Sequence, residues 1–160
     1  MEFCRFGKNE IDSLVKMRIM YLREDFKEAT EKQFSEIEKN LYNYFEKHID
    51  KDLFAFGAME NDKIISAAIL LIVEKPCNPR FITGKTGEVF SVYTLPEYRR
   101  QGIAMNVMKM LMRFSQEKNL DIVNLKATQD GYPLYKKLGF VEDNSCCKPM
   151  KYIFEDSDLL

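Results

Sequence analysis

A strand, a short basic loop and a helix follow one another in residues 87–112, GEVFSVYTLPEYRRQGIAMNVMKMLM. Pro96 ends the strand because it has no N–H to donate to a sheet, and apolar residues at helical spacing begin after Gly102. The first amides of a helix have no intrahelical partner and carry the positive end of the helix dipole. With Arg99 and Arg100 beside them and no Cβ on Gly102, these amides predict a binding site for a phosphate.

Two short segments carry a resemblance to a known family. The first is Arg99-x-x-Gly102-x-Ala104, and the second is the run LYKKLGF from Leu134 to Phe140. The first resembles the acyl-CoA motif R/Q-x-x-G-x-G/A of the GCN5-related N-acetyltransferase (GNAT) superfamily, and the second resembles that family's xLYxKLGF segment. The resemblance covers residues 53–154 well and the preceding helices loosely. It implies an acetyl-CoA-dependent N-acetyltransferase that acts by direct attack of a primary amine, with acetyl-CoA as cosubstrate.

The resemblance also implies the fold class. We expect an α+β protein with the GNAT acyl-CoA N-acyltransferase fold, resembling an α/β/α sandwich. Its mixed central sheet would have antiparallel N-terminal strands, a parallel pair at the centre and flanking helices. A chain of 160 residues without repeats or linkers fits one core. We therefore interpret residues 1–160 as a single N-acetyltransferase domain that ends in a frayed acidic tail, residues 155–160.

Periodicity and turn signals predict the elements of this fold. The predicted helices are residues 9–25 with a cap at Asn9, a helix that opens at Thr30 with a capping-box pattern, residues 103–118, and a short helix that contains Pro133 and ends at Gly139. The predicted strands are residues 53–59, 64–74, 88–94 and 121–127, the last parallel to 88–94 by the right-handed crossover rule. Residues 140–142 and 148–154 are predicted to close the sheet as an antiparallel pair.

Composition argues against several other functions. The net charge of −1 gives no electrostatic case for a nucleic acid or an anionic membrane, and no apolar run approaches the ~20 residues of a membrane span. The four cysteines (Cys4, Cys77, Cys146 and Cys147) and the single histidine, His48, lack the spacing of a zinc site. We therefore expect a cytoplasmic protein with reduced thiols and no metal, nucleic-acid or membrane partner, as a monomer or homodimer.

The resemblance assigns the cofactor-binding residues. In the family, the strand before the basic loop bulges and parts from its parallel neighbour, and the pantetheine arm of CoA fills the gap. A backbone N–H near Val92 would then polarise the thioester carbonyl. The residues implied to contact the cofactor are Val92, Tyr93, Thr94, Arg99, Arg100, Gln101, Gly102, Ile103, Ala104 and Met105.

Two side chains are predicted to move protons. A lysine-like amine with a pKa of ~10.4 must lose a proton before it can attack, and Glu88 stands where histone-type members carry their catalytic glutamate. Tyr135 occupies the position of the family's tyrosine and is the predicted general acid for the departing thiolate. The alternatives left open are a solvent-facing glutamate at a strand start and a tyrosine that only packs.

Two positions depart from the family pattern, and the residues do not identify the acceptor amine. Many members have an asparagine where this chain has Thr128, and a subset has a catalytic glutamate where it has Val123. The second departure excludes an active role for that position. The two departures together leave the predicted CoA binding unaffected and weaken the case for a ribosomal-protein acetylase. The candidates for acceptor contacts are Tyr21, Glu24, Asp25, Glu28 and Phe81, and the three acidic residues among them would suit a cationic amine.

The residues also bear on two other functions, a CoA sensor and a nucleotide-binding protein. A CoA-binding sensor of the same fold would keep the cofactor site and lack turnover, and retention of Glu88 and Tyr135 argues against it. A nucleotide P-loop around residues 84–86 (GKT) is disfavoured, because Pro79 stands where that motif needs a glycine and a strand follows instead of a helix.

Overall fold

The computed structural model describes residues 1–144 and 147–154, in which a five-stranded sheet is flanked by helices. The strands are β1 (Glu2–Phe6), β2 (Leu53–Glu60), β3 (Lys63–Glu74), β4 (Lys85–Thr94) and β5 (Ile122–Leu125). The helices are α1 (Ile11–Asp25), α2 (Glu31–His48), α3 (Ile103–Glu117) and α4 (Tyr132–Lys137). Short 3₁₀ turns at Lys8–Glu10 and Pro96–Tyr98 precede α1 and the basic loop.

The strands lie side by side in chain order. β1 to β4 are antiparallel to their neighbours, whereas β4 and β5 are parallel, with Thr86 opposite Ile122 and Val89 opposite Leu125. The crossover between them runs through α3. This mixed sheet confirms the predicted α+β fold and the parallel pairing. The predicted place of the pair at the centre of the sheet is wrong for the described residues, in which it lies at the β5 edge because no further strand pairs with β5.

Opposite faces of the sheet carry different helices. Phe54 and Phe56 of β2 contact Phe114 of α3, with ring centroids 4.7 and 5.2 Å apart. On the other face, the guanidinium of Arg18 from α1 lies 5.2 Å from the ring centroid of Phe90 in β4, and α2 packs against α1. Because β2 and β3 are covered on both faces, their central residues are almost continuously apolar and buried.

The N-terminal elements differ in part from the predictions. β1 was not predicted, and it extends the sheet by pairing with β2. Asn9 lies inside the 3₁₀ turn instead of capping α1, and the Glu10 carboxylate accepts the Gly7 amide at 2.8 Å. The capping box at Thr30 is confirmed, because its hydroxyl accepts the Gln33 amide at 3.3 Å and the Gln33 side chain accepts the Thr30 amide at 2.8 Å.

The predicted closing pair was wrong. Residues 140–144 and 147–154 contain no strand, and Met150, Tyr152, Ile153 and Phe154 are exposed. Local β propensity suggested a strand there but could not supply a partner, and β5 is only four residues long. The predicted frayed tail, 155–160, and Cys146 lie outside the described residues. None of the described helices is both long and apolar enough to cross a bilayer.

Candidate functional site

A bulge in β4 opens one edge of the sheet. Ala67 of β3 lies opposite Tyr93 and Ile69 lies opposite Phe90, so β4 has one residue more than its partner between these pairs. Ser91, at the bulge, has a φ of 54°, in the left-handed region. The parallel pairing with β5 ends at Val89. The backbone of 92–94 therefore lies beyond the paired part of β4 and β5, as the resemblance implied.

The N-terminus of α3 presents unpartnered amides. Arg100 and Gly102 have φ angles of 63° and 77°, and no side chain caps the helix at Gly102. Among the described residues, no hydrogen bond has its donor in the backbone amides of 100–105. A Cβ added to Gly102 would meet no atom within 4 Å. The turn is therefore open and positively polarised, which suits a diphosphate.

The bulged strand end and the α3 N-terminus line one cleft of about 710 Å³. All the predicted cofactor-contacting residues line it except Gln101, whose side-chain amide donates to the carbonyl of Glu97 at 3.2 Å. The opposite walls come from α1 and from the segment that contains α4. The further residues of this cleft that the sequence did not single out include Tyr98, Gln129, Asp130, Gly131 and Pro133. Their signal in the sequence is proximity to a family segment, the first for Tyr98 and the second for the other four.

Arg99 is committed to the protein rather than free for a phosphate. Its Nε donates to the carbonyl of Thr94 at 2.9 Å, and its Nη2 lies 2.9 Å from both carboxylate oxygens of Glu24. The hydroxyl of Tyr93 donates to the same carboxylate at 2.6 Å. The Tyr93 hydrogen bond, helped by Arg99, lowers the pKa of Glu24, and burial together with Glu24 raises the pKa of Tyr93 to about 12. Of the two predicted arginines, the exposed Arg100 is the one left for an anion.

Tyr135 faces the same cleft. Its side chain is 8% exposed, and burial raises the pKa of its hydroxyl. The ring packs edge-on against Phe140 at 5.9 Å, and a Cβ at Gly131 would lie 2.9 Å from it. Thr128 accepts the Gly131 amide at 3.2 Å and so holds the turn that starts α4. No hydrogen bond to another described residue occupies the Tyr135 hydroxyl, which leaves it available to a ligand.

Glu88 is not brought to Tyr135. It lies before the bulge and does not line the cleft. Its carboxylate accepts the side-chain amide of Asn124 at 3.1 Å and lies 3.7 Å from the ammonium of Lys75. Its role as a base stays a prediction.

Some of the predicted acceptor contacts line the cleft and others lie outside it. Tyr21, Glu24 and Asp25 line the cleft, whereas Glu28 and Phe81 do not. Burial and the Asp25 carboxylate raise the pKa of Tyr21 to about 12. Both acidic side chains of the cleft wall on α1 therefore already hold a partner.

No group of three or more His, Cys, Asp or Glu side chains in the described residues could hold a metal ion. The GKT sequence at residues 84–86 leads into β4, which begins at Lys85. A strand therefore continues from it, as predicted, in place of the helix that a P-loop requires.

Comparison with known proteins gives a consistent result. The family model described as Acetyltransferase (GNAT) family matches residues 18–140. A predicted acetyltransferase from Clostridium acetobutylicum, solved with acetyl-CoA, is 27% identical, with a TM-score of 0.82 over 93% of this chain and 95% of that one. A GCN5-related N-acetyltransferase from Ralstonia eutropha is 20% identical, with a TM-score of 0.79 over 93% and 97%.

Among more distant structures is an aminoglycoside N-acetyltransferase in complex with CoA. It is 14% identical, with a TM-score of 0.70 over 95% of both chains. No protein with curated annotation matches this chain.

Proposed function

The chain belongs to the acetyltransferase (GNAT) family, and from this premise we propose that it is an acetyl-CoA-dependent N-acetyltransferase acting on a primary amine of a small molecule or peptide. One observation carries the proposal. The bulged end of β4 and the unpartnered amides of α3 open onto one cleft of about 710 Å³, which also contains Tyr135. A neighbour at 27% identity was solved with acetyl-CoA.

The α3 N-terminus is the proposed diphosphate site. The amides of Gly102, Ile103, Ala104 and Met105 have no acceptor among the described residues, and Gly102 leaves the space above them open. Arg100 adds an exposed positive charge at the same turn. Arg99 has a different part in this proposal, because its ion pair with Glu24 fixes the loop against α1.

The end of β4 is the proposed pantetheine site. The backbone of Val92, Tyr93 and Thr94 lies beyond the last pair with β5, and it would hydrogen-bond the arm as a further strand would. An amide near Val92 would stabilise the negative charge that develops on the acetyl oxygen. A fixed donor of this kind contributes about 3 kcal/mol in other enzymes.

When bound, acetyl-CoA supplies an activated acetyl group: the amine nitrogen bonds to the acetyl carbon, the carbon–sulfur bond breaks, and the sulfur takes a proton. The Tyr135 hydroxyl, open to the cleft, is the proposed donor of that proton. Glu88 is the proposed acceptor of the amine proton. Its carboxylate lies outside the cleft lining, so in this proposal water carries the proton to it. No cysteine is among the described residues that line the cleft, which supports direct attack.

The test is an acetyl-transfer assay with a panel of amines that includes polyamines, aminoglycosides, amino acids and peptides. Thiol release from acetyl-CoA is measured, together with acetyl-CoA binding by calorimetry. We expect binding, and release that depends on at least one amine and gives an N-acetylated product by mass spectrometry. Binding without release for any amine would refute the enzyme and support the CoA sensor of the same fold.

A further inference from the structure

Arg18, on α1, is a partly buried cation without a carboxylate partner. Its Nη1 donates a hydrogen bond to the hydroxyl of Ser91, and the guanidinium lies over the ring of Phe90. Burial lowers its pKa. No ion pair to Arg18 is found among the described residues, and the other described arginines that lack one are exposed. Removing a guanidinium charge from water costs free energy, and an anion bound beside Arg18 would offset part of that cost.

The carboxylates near Arg18 are exposed, whereas Arg18 is partly buried. Glu24 is held by Tyr93 and Arg99, and the hydroxyl of Tyr21, beside Asp25, brings no positive charge to it. Asp130 in the cleft and Glu36 in the cavity that Arg18 lines are also exposed to water. Because Arg18 is the partly buried charge of this set, charge complementarity at its position favours an acceptor that carries an anion.

Arg18 also lines a cavity of about 580 Å³ between α1 and α2. Arg18 and Leu22 are four residues apart and lie on one stripe of α1, and Phe26, the residue that follows the helix, extends this wall. The facing wall includes Phe34 and Ile37 of α2. The two polar residues of the lining besides Arg18 are the exposed Gln33 and Glu36. An apolar group would bury its surface against these walls.

Arg18 lies near the proposed thioester site, although it lines the cavity between α1 and α2 and not the cofactor cleft. Arg18 contacts Ser91, and Ser91 adjoins Val92, whose amide is the proposed thioester contact. Consecutive Cα atoms are about 3.8 Å apart. An anion on Arg18 therefore lies near the attacking amine, as it does when amine and carboxylate share one carbon.

We propose that the acceptor is an α-amino acid with an apolar side chain, recognised through its carboxylate by Arg18 and through its side chain by the cavity between α1 and α2. This inference rests on the proposed function. The α-nitrogen forms the bond to the acetyl carbon, the carbon–sulfur bond breaks, and the protons move as described above.

The first test needs no variant and uses leucine and leucinamide, which share a side chain and differ in the charge of the carboxyl group. We expect kcat/KM for leucine to exceed that for leucinamide by about 10- to 100-fold, the range for a charged hydrogen bond. Equal use of both, or preference for leucinamide, would overturn the proposal. Peptide amines used better than leucine would also overturn it, because a peptide N-terminal residue has no α-carboxylate.

The second test replaces Arg18 with methionine, which keeps an extended apolar stem. In Arg18→Met the ratio of kcat/KM for leucine to that for leucinamide should fall to near one. The matched control is Lys16→Met, which removes a cation from an exposed position of the same helix and should keep the ratio. An unchanged ratio in Arg18→Met would assign Arg18 a purely structural role.

Leucine binding, measured by calorimetry with CoA present and absent, separates the two proposals. If no amine is acetylated but leucine binds to the wild type and not to Arg18→Met, the proposed reaction fails and the amino-acid site stands. If leucine binds to neither protein, the inference fails whether or not other amines are acetylated.

Discussion

Arg99 shows that a residue in the right motif position can have a different task from the one its type suggests. Its guanidinium is held by the Glu24 carboxylate and the Thr94 carbonyl, so it joins the basic loop to α1. The positive character of the turn then comes from backbone amides and from Arg100, and the exposed Lys137 lines the same cleft. Backbone amides stay in place without the entropy cost of fixing a long side chain.

Tyr135→Phe tests the proposed acid. The change removes the hydroxyl and leaves the ring packed on Phe140. We expect kcat to fall by about 10²-fold or more, since general acids contribute on that scale, with the acetyl-CoA Kd changed by less than about twofold. Steady-state kinetics and calorimetry measure the two quantities. A parallel loss of kcat and affinity would make Tyr135 a packing residue.

Gly102→Glu tests the proposed diphosphate site. The new carboxylate would enter the open space above the α3 amides, so acetyl-CoA binding should be lost by excluded volume and like charge. The matched control is Gly139→Glu, because Gly139 also has a positive φ, also has open space at its Cβ, and does not line the cleft. Calorimetry should show binding in the control alone. Wild-type affinity in Gly102→Glu would place the diphosphate elsewhere.

Among the elements, β4 has the largest effect on the site because its bulge changes which residues face α1. Phe90 lies under Arg18 on the α1 side, and after the bulge Tyr93 takes that side and packs against Tyr21. In a regular strand these two positions, three apart, would face opposite sides. The extra residue therefore brings Tyr93 to Glu24 and turns the strand end away from β5.

Deletion of Ser91 tests this effect of the bulge. The shortened strand would pair regularly with β3 and keep Tyr93 opposite Ala67, but the bend that turns residues 92–94 away from β5 would be lost. We expect a loss of acetyl-CoA binding of at least about 10-fold, or loss of the fold, detected by circular dichroism. Ser91→Gly is the control, because glycine keeps the left-handed φ and should retain binding. A folded deletion variant with normal affinity would show that the bulge does not shape the cofactor site.

For the whole molecule, the contact between α1 and the end of β4 depends on pH through Glu24. The pKa of Glu24 is lowered from 4.5 by Tyr93 and Arg99, so its ionised form is favoured in the folded state. This stabilisation is fully present above about pH 4.5 and is lost as the pH falls through the lower folded-state pKa. Because the pair is partly exposed, its contribution is small, about 0.2–1 kcal/mol.

Glu24→Gln should therefore reduce the free energy of unfolding by that amount at pH 7 and by progressively less below pH 4.5. Urea unfolding between pH 3.5 and pH 7 measures the difference from the wild type. Glu31→Gln is a useful comparison, because it removes an exposed carboxylate paired with Arg23 outside the cleft. If the difference for Glu24→Gln did not change with pH, the ion pair would not account for it.

The elements that follow from local chemistry were predicted well. The Thr30 capping box, the helix that begins after Gly102 and the parallel pair around it depend on neighbouring residues or on chain handedness. β1 was missed because its five residues bury mainly Phe6 and acquire their order from β2. The closing pair at the C-terminal end was wrong because strand propensity does not specify a partner.

The sequence alone predicted the open turn at Gly102 and the family-like placement of Tyr135, since both depend on residues close together in the chain. Long-range packing established the partner of Arg99, the separation of Glu88 from the cleft and the partly buried, unpaired state of Arg18. These contacts join residues such as Glu24 and Arg99 or Arg18 and Ser91, which are far apart in the chain. A side chain's partner is set by what the folded layers bring beside it, and local spacing carries no record of that.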